Sequence, residues 1–159
     1  MTDVDLLTAA LGLKEVRRAG WARVGIQDAE SVADHSFGVA FAAMVLTPPG
    51  LDRLRVLELA LLHDLPEVEV GDITPHDGVT HDEKRRREDA AAAALFADHP
   101  HLLGLWHELE AATSPESRFV KTLDHVDLRL QARHYGARGF AVGDFLASTR
   151  ARASLIVDR

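Results

Sequence analysis

Apolar residues recur at helical spacing along most of the chain, and no stretch alternates apolar and polar residues as a half-buried strand does. The clearest stripe joins Phe119, Leu123, Val126 and Leu130, at spacings of four, three and four, and it predicts a helix over about 115–135. Further helices are predicted over about 3–18, with an interruption at Gly12, from Ser31 to a break at Pro48, and over about 52–63, 82–96, 101–111 and 140–157. The pattern predicts an all-α, single-domain helical bundle of about six or seven helices over residues 1–159.

Capping and helix-breaking residues set the boundaries of the two central helices. Ser31 and Asp52 precede apolar periodic segments and are predicted N-caps. Pro66 would clash with the carbonyl of Leu62 in a continuous helix, so the second helix is predicted to end or kink at His63-Asp64. Two ionisable side chains therefore follow a nearly apolar segment, 57–62, that we expect to be buried.

The first of these helices is apolar on most sides over 32–45, which predicts a central place in the bundle. His35 lies within it and is predicted to point inward. A lone inward histidine is commonly a hydrogen-bonded core residue. The sequence leaves that interpretation open beside a role as a ligand.

The segment after the second helix carries the most distinctive chemistry of the chain. His63 and Asp64 are followed within eight positions by Glu67, Glu69 and Asp72. An imidazole and a carboxylate at a helix end can bind one divalent ion if the fold supplies further ligands. Glu67 is either an exposed carboxylate near a helix start or a general acid–base group beside such an ion.

The His-Asp dipeptide alone is not specific. With 9 His and 15 Asp in 159 residues, about one such dipeptide is expected by chance, and the chain holds three, at 63–64, 76–77 and 81–82. Only the first ends an apolar helix, whereas the other two lie in hydrophilic segments. Its position, rather than its composition, makes it a candidate site.

A basic and aromatic segment at 17–21 has two interpretations. In the first, a helix ends at Gly20, Arg17 and Arg18 interact favourably with the negative end of its dipole, and Trp21 packs on the core. Alternatively, Arg18 recognises an anion through its planar guanidinium group.

Composition narrows the classes of partner and compartment. The net charge of −7 argues against a nucleic acid polymer, because phosphate backbones are bound by basic surfaces. The chain has no cysteine, which excludes disulfides, thiolate metal sites and thiol nucleophiles and suits the cytoplasm. Residues 1–13 carry acids rather than the basic start of a signal peptide, and no stretch has the roughly 18 apolar residues of a membrane span.

Four separated motifs resemble those of the HD-domain metal-dependent phosphohydrolases, and most of all their 5′-deoxynucleotidase subgroup. The motifs are Ser-Val-Ala-Asp-His at 31–35, Leu-Leu-His-Asp-Leu-Pro-Glu at 61–67, Gly-Asp at 71–72 and Val-Lys-Thr-Leu-Asp at 120–124. The resemblance covers about 17–135. It implies hydrolysis of deoxyribonucleoside 5′-monophosphates by a homodimer, whereas the segment after Tyr135 carries no motif of the family.

The resemblance also implies a set of site residues. One divalent cation would be bound by His35, His63, Asp64 and Asp124. Glu67 would be the catalytic carboxylate. The nucleotide site would be lined by Arg18, Trp21 and Asp72. A mixed nitrogen and oxygen donor set suits Mn²⁺, Co²⁺, Fe²⁺, Ni²⁺, Zn²⁺ or Mg²⁺ and does not select among them.

Three alternatives remain open at this stage. A two-metal enzyme would need further histidines between Asp64 and Asp124, and five more are available at 76, 81, 99, 101 and 107. A non-catalytic nucleotide-binding protein would keep the fold without turnover. The same centre could also hydrolyse a triphosphate or another phosphoester.

Overall fold

Side chains that cap the first turn fix where the central helices begin. In the computed structural model, which describes residues 1–158, Ser31 Oγ accepts a hydrogen bond from the Asp34 amide at 3.1 Å. The Asp52 carboxylate accepts one from the Leu54 amide at 3.0 Å. Both predicted N-caps are confirmed, because each side chain satisfies an amide that the helix itself leaves unpaired.

The described residues form nine α-helices and one short 3-10 helix, and none of them forms a strand. The predicted all-α class is confirmed, but the predicted count was low, because two four-residue helices flank the candidate site. The helices are α1 (Asp3–Leu11), α2 (Ala19–Ala22), α3 (Val32–Leu46), α4 (Arg53–Leu62), α5 (Glu67–Val70), α6 (His81–Leu95), α7 (Pro100–Ala111), α8 (Pro115–Ala137) and α9 (Gly143–Val157), with the 3-10 helix at Gly12–Lys14.

The long helix α8 is the centre of the bundle and packs against α3, α4, α7 and α9. The main core lies between these helices, where Val39, Val56, Leu59 and Leu123 are fully buried. A second cluster around Trp21 joins α2 to α8 and α9. The α3, α4 and α8 helices therefore meet at the place where α4 ends.

Two features of the first half of the chain differ from expectation. The first helix ends at Leu11, at the interruption predicted at Gly12, and does not continue to Arg18. Gly20 lies inside α2 instead of terminating a helix. A Cβ at Gly12 would lie 2.5 Å from Val68 Cγ2. The first helix therefore ends at a point where α5 approaches the chain too closely for a larger side chain.

The α3 helix is also less central than its composition suggested. One face is buried, as predicted for His35, but the opposite face leaves four large apolar side chains exposed: Phe37, Phe41, Met44 and Val45. The apolar residues on all sides of α3 therefore belong to two different surfaces, one buried in the bundle and one exposed.

Of the helices in the described part of the chain, none combines the length and the apolar character needed to cross a bilayer.

Candidate metal centre

The four predicted metal ligands come from three helices and meet at one place. His35 projects from the first turn of α3, His63 and Asp64 follow the end of α4, and Asp124 projects from α8. His35 Nε2 lies 3.3 Å from His63 Nε2 and 3.1 Å from Asp124 Oδ1. Asp64 Oδ2 lies 3.2 Å from His63 Nε2 and 3.7 Å from His35 Nε2.

Three of these four separations match those of donors that share one divalent ion. Two donors bound at about 2.1 Å to one tetrahedral or octahedral ion lie about 3.0–3.4 Å apart. The donor atoms of His35, His63 and Asp64 all lie within 4.8 Å of one another. Asp124 is not part of that group and adjoins it through its 3.1 Å contact with His35. Two imidazoles and two carboxylates are a donor set for a first-row transition metal or Mg²⁺.

The second nitrogen of each imidazole is held by the protein. His63 Nδ1 lies 2.7 Å from the carbonyl oxygen of Ala60, to which it donates. His35 Nδ1 lies 2.7 Å from Asp127 Oδ2. Both rings therefore present Nε2 to the centre, which is the arrangement that metal-binding histidines commonly adopt.

Burial and charged neighbours shift the pKa values of the predicted ligands. Burial and Arg18 lower the pKa of His35, but its hydrogen bonds with Asp124 and Asp127 outweigh them and raise it to about 10. Burial would raise the pKa of Asp64, but His63, His35 and Arg18 hold it well below its ordinary value.

Glu67 begins α5 and is almost fully buried, at 3% exposure, so the interpretation as an exposed carboxylate is wrong. Its Oε2 atom is buried with no hydrogen-bond partner among the described residues, and its Oε1 atom lies 3.9 Å from Lys84 Nζ. Burial, followed by the charges of Asp64 and Asp72, raises the pKa of Glu67 well above its ordinary value. Such a carboxyl group is suited to proton transfer.

Arg18, and not Arg17, faces the centre. The backbone around Arg17 pairs antiparallel with Ser31, and the Arg17 side chain donates to the Ala29 carbonyl at 3.1 Å. The Arg18 guanidinium group lies 3.5 Å from Asp64 and 3.6 Å from Asp72. The short backbone pairing therefore places one cation beside the predicted ligands.

Asp72 is tied to the same segment rather than pointing freely into solvent. Its Oδ2 atom accepts a hydrogen bond from the Ala19 amide at 2.7 Å, while Oδ1 faces Arg18. In this structure it orients the Arg18 side chain.

Trp21 lies behind the site. It is 1% exposed, its ring packs against Tyr135 and Phe145, and its Nε1 donates to Glu30 at 2.9 Å. Its predicted contact with a substrate stays a prediction. A direct contact would require this buried ring to be uncovered.

Two cavities adjoin the centre, of about 250 and 230 Å³, and both have His63, Asp64, Glu110 and Lys121 in their walls. Four basic side chains that line one or both cavities were not among the predicted site residues: Lys84, Arg85, Lys121 and Arg152. Lys121 precedes Asp124 by three positions, so helical spacing could have identified it. Nothing in the sequence pattern links Arg152 in α9 to the centre.

The five further histidines do not form a second centre. Within residues 1–158, none of those at 76, 81, 99, 101 and 107 belongs to a group of three or more neighbouring metal-binding donors. The structure therefore offers no support for the two-metal alternative at these positions.

Comparison with known proteins identifies the fold. A family model described as HD domain matches residues 11–152 of the 159-residue chain. The chain belongs to the HD-domain family. The fold is similar to that of a solved Pyrococcus horikoshii protein, with a TM-score of 0.81 and 31% identity over 91% of this chain and 86% of that one. A Magnetospirillum magnetotacticum protein described as a predicted metal-dependent phosphohydrolase has a TM-score of 0.72 and 25% identity, over 98% of this chain and 85% of that one.

Curated relatives of this HD-domain chain are named as 5′-deoxynucleotidases. The 5′-deoxynucleotidase HDDC2 of Homo sapiens is 41% identical over 77% of this chain and 63% of its own length. The 5′-deoxynucleotidase hdd1 of Schizosaccharomyces pombe is 34% identical over 85% of this chain and 73% of its own length. The chain thus matches less than two thirds of the length of the human relative.

Proposed function

We propose that this protein is a metal-dependent 5′-deoxynucleotidase that hydrolyses deoxyribonucleoside 5′-monophosphates to deoxynucleoside and phosphate. The observation that carries the proposal is the convergence of His35, His63, Asp64 and Asp124 beside the buried Glu67 carboxyl group. The names of the curated relatives supply the substrate class.

In this proposal one divalent ion is held by His35, His63, Asp64 and Asp124. When bound, it would polarise a phosphoryl oxygen and lower the pKa of a water for attack on phosphorus. Its identity among the metals that suit these donors is left to measurement.

The protein's own residues divide the remaining work. Arg18 is cationic beside Asp64, and its planar fork matches the geometry of a phosphate group. Burial and the two aspartates favour the neutral form of Glu67, so we assign it proton transfer between the attacking water and the departing 5′ oxygen. Asp72 holds Arg18 and the Ala19 amide in place and is available to a sugar hydroxyl.

Lys84, Arg85 and Lys121 line a cavity beside the centre. These cations could accept further phosphates, so triphosphates are the second class of substrate to test.

A homodimer and a cytoplasmic location belong to the same proposal. Phe37, Phe41, Met44 and Val45 form one exposed face of α3, which we call the α3 apolar face, and the two phenylalanine rings stack with centroids 6.2 Å apart. Contiguous exposed apolar surface of this kind favours self-association. The cysteine-free composition suits a reducing compartment.

The deciding experiment measures phosphate release from deoxy- and ribonucleoside mono- and triphosphates with Mn²⁺, Co²⁺, Mg²⁺ or a chelator. We expect release from deoxyribonucleoside monophosphates that requires a metal and is lost in Asp64→Asn, a variant of unchanged shape. If metal-loaded, folded protein releases no phosphate from any nucleotide, the nucleotidase proposal is wrong.

A further inference from the structure

One helix of the candidate centre presents two carboxylates to the two ring nitrogens of a single histidine. On α8, Asp124 Oδ1 lies 3.1 Å from His35 Nε2, and Asp127 Oδ2 lies 2.7 Å from His35 Nδ1. Residues three apart on a helix project from the same face. The imidazole is therefore held at both nitrogens by one rigid element.

Asp127 makes the shorter of these two contacts with the ring. His35 is fully buried, and the Asp127 side chain is only 18% exposed. An ionised carboxylate only accepts hydrogen bonds, so its partner Nδ1 carries the proton. This hydrogen bond fixes the orientation of the ring and directs Nε2 toward the centre.

The neighbouring helix makes room for this carboxylate. Gly38 lies three residues after His35 on α3, and a Cβ at this position would lie 2.0 Å from Asp127 Oδ1 and 2.7 Å from Asp127 Cγ. Both distances are far inside van der Waals contact, so any larger residue would displace the carboxylate. The glycine serves here as clearance, because its backbone is helical and needs no unusual φ.

We propose that Asp127 is a positioning residue that orients His35 so that its Nε2 atom faces the metal centre, and that Gly38 provides the space in which the Asp127 carboxylate sits. This inference rests on the proposed function, since it assumes a cation at His35 Nε2. Hydrogen-bonded carboxylates behind metal-binding histidines commonly contribute about 10–100-fold to metal affinity.

A different role for Asp127 would be direct ligation of a second cation. Glu30, His35 and Asp127 also bring three donor atoms within 4.8 Å of one another. However, Glu30 Oε1 already accepts a hydrogen bond from Trp21 Nε1 at 2.9 Å, and His35 Nδ1 is bonded to Asp127. These contacts favour a hydrogen-bonded support over a second metal site, and the number of bound ions distinguishes the two.

The test is titration of the chelator-treated full chain with Mn²⁺ by calorimetry, which gives both affinity and stoichiometry, with circular dichroism as the check on folding. Asp127→Ala removes the carboxylate, Asp127→Asn keeps an acceptor of the same shape without its charge, and Gly38→Ala displaces the carboxylate without removing it. Gly104→Ala is the matched control, because it lies inside helix α7 and its added Cβ would have no neighbour within 4 Å among the described residues.

We expect wild type and the Gly104 variant to bind one Mn²⁺ with equal affinity. The dissociation constant should rise about 10–100-fold in Asp127→Ala and Gly38→Ala and by a smaller factor in Asp127→Asn, which retains the acceptor. If Asp127→Ala does not fold, the isosteric variant and Gly38→Ala decide the question.

Three outcomes would overturn the inference. Affinities within twofold of wild type in the folded Asp127→Asn and Gly38→Ala variants would show that Asp127 does not support His35. Two ions per wild-type chain and one per Asp127→Asn chain would make Asp127 a ligand instead. A wild-type chain that binds no Mn²⁺, Co²⁺ or Mg²⁺ would refute the proposed metal site together with this inference, whereas the first outcome leaves that site intact.

Discussion

Replacement of Glu67 by glutamine tests the proposed chemistry and the structural environment of this side chain together. The substitution preserves the shape of the side chain and removes its ability to carry a proton between water and the leaving group. General acid–base catalysis commonly contributes about 10²–10⁴ in rate, so we expect kcat to fall by that factor. Mn²⁺ affinity should stay within a few-fold of wild type, because Glu67 is not among the proposed ligands.

The structure also predicts how this substitution changes stability with pH. Burial, Asp64 and Asp72 raise the pKa of Glu67 in the folded chain above its ordinary value of 4.5. A group with a raised folded pKa contributes stability below its unfolded pKa, and that contribution is lost as the pH rises through the folded pKa. The wild type should therefore lose stability relative to Glu67→Gln with rising pH.

The magnitude follows from proton linkage. Between the unfolded and the folded pKa, the difference in free energy of unfolding changes by up to about 1.4 kcal/mol per pH unit for one proton. Outside this window the difference should be flat. Other titrating groups are common to both proteins and largely cancel in the difference.

The assay is urea denaturation from about pH 4 to pH 9 in the presence of a chelator, so that metal binding does not contribute. Glu69→Gln is the matched control, because it removes a carboxylate from the same four-residue helix at an exposed position. The free energy of unfolding of Glu67→Gln minus that of wild type should rise with pH between the two pKa values. If this difference stays flat over the whole pH range, or falls, the raised pKa is refuted. Turnover at the wild-type rate would remove Glu67 from the mechanism.

Four further outcomes are expected. Arg18→Ala should lower kcat/KM about 10–150-fold through loss of a charge-assisted phosphate contact, and Arg18→Lys should recover only part of it, because a lysine lacks the planar fork; equal kinetics for wild type and Arg18→Ala would exclude the contact. Chelation should abolish turnover. Restoring a cation at 100 times its dissociation constant should stabilise the fold by about 2.7 kcal/mol in thermal unfolding. An unchanged melting temperature would argue against a bound ion. The double change Phe37→Asp and Phe41→Asp should convert a dimer to a monomer in analytical ultracentrifugation without loss of helicity, and a wild type that sediments as a monomer would refute the proposed dimer. Leu59→Ala, at a fully buried position, should cost about 2–5 kcal/mol in urea unfolding, whereas Leu61→Ala, 60% exposed, should cost less than about 0.5 kcal/mol; similar costs at both positions would contradict the described core.

The apolar periodicity, the capping residues and the proline determined most of the helical framework. Ser31 and Asp52 begin α3 and α4 as predicted, and α4 ends at Leu62, directly before His63-Asp64. These features depend on contacts between residues close in sequence, such as an N-cap side chain and the amide three positions later. A single sequence is sufficient to recognise them.

Other features depend on which helices meet, and the sequence alone did not determine them. Asp127 follows a predicted ligand by three positions, yet its contact with His35 became visible only when α8 was packed against α3. The family resemblance named Arg18, but the short backbone pairing of Arg17 with Ser31, which turns the two arginine side chains in different directions, appears only in the fold.

The two faces of α3 illustrate the same limit. Their composition is similarly apolar, so periodicity could not tell which face packs against the bundle and which stays exposed. Contacts between residues distant in sequence made that distinction. The sequence thus determined the helices and the donor types, whereas the tertiary structure determined how those donors converge, because convergence depends on packing across the bundle.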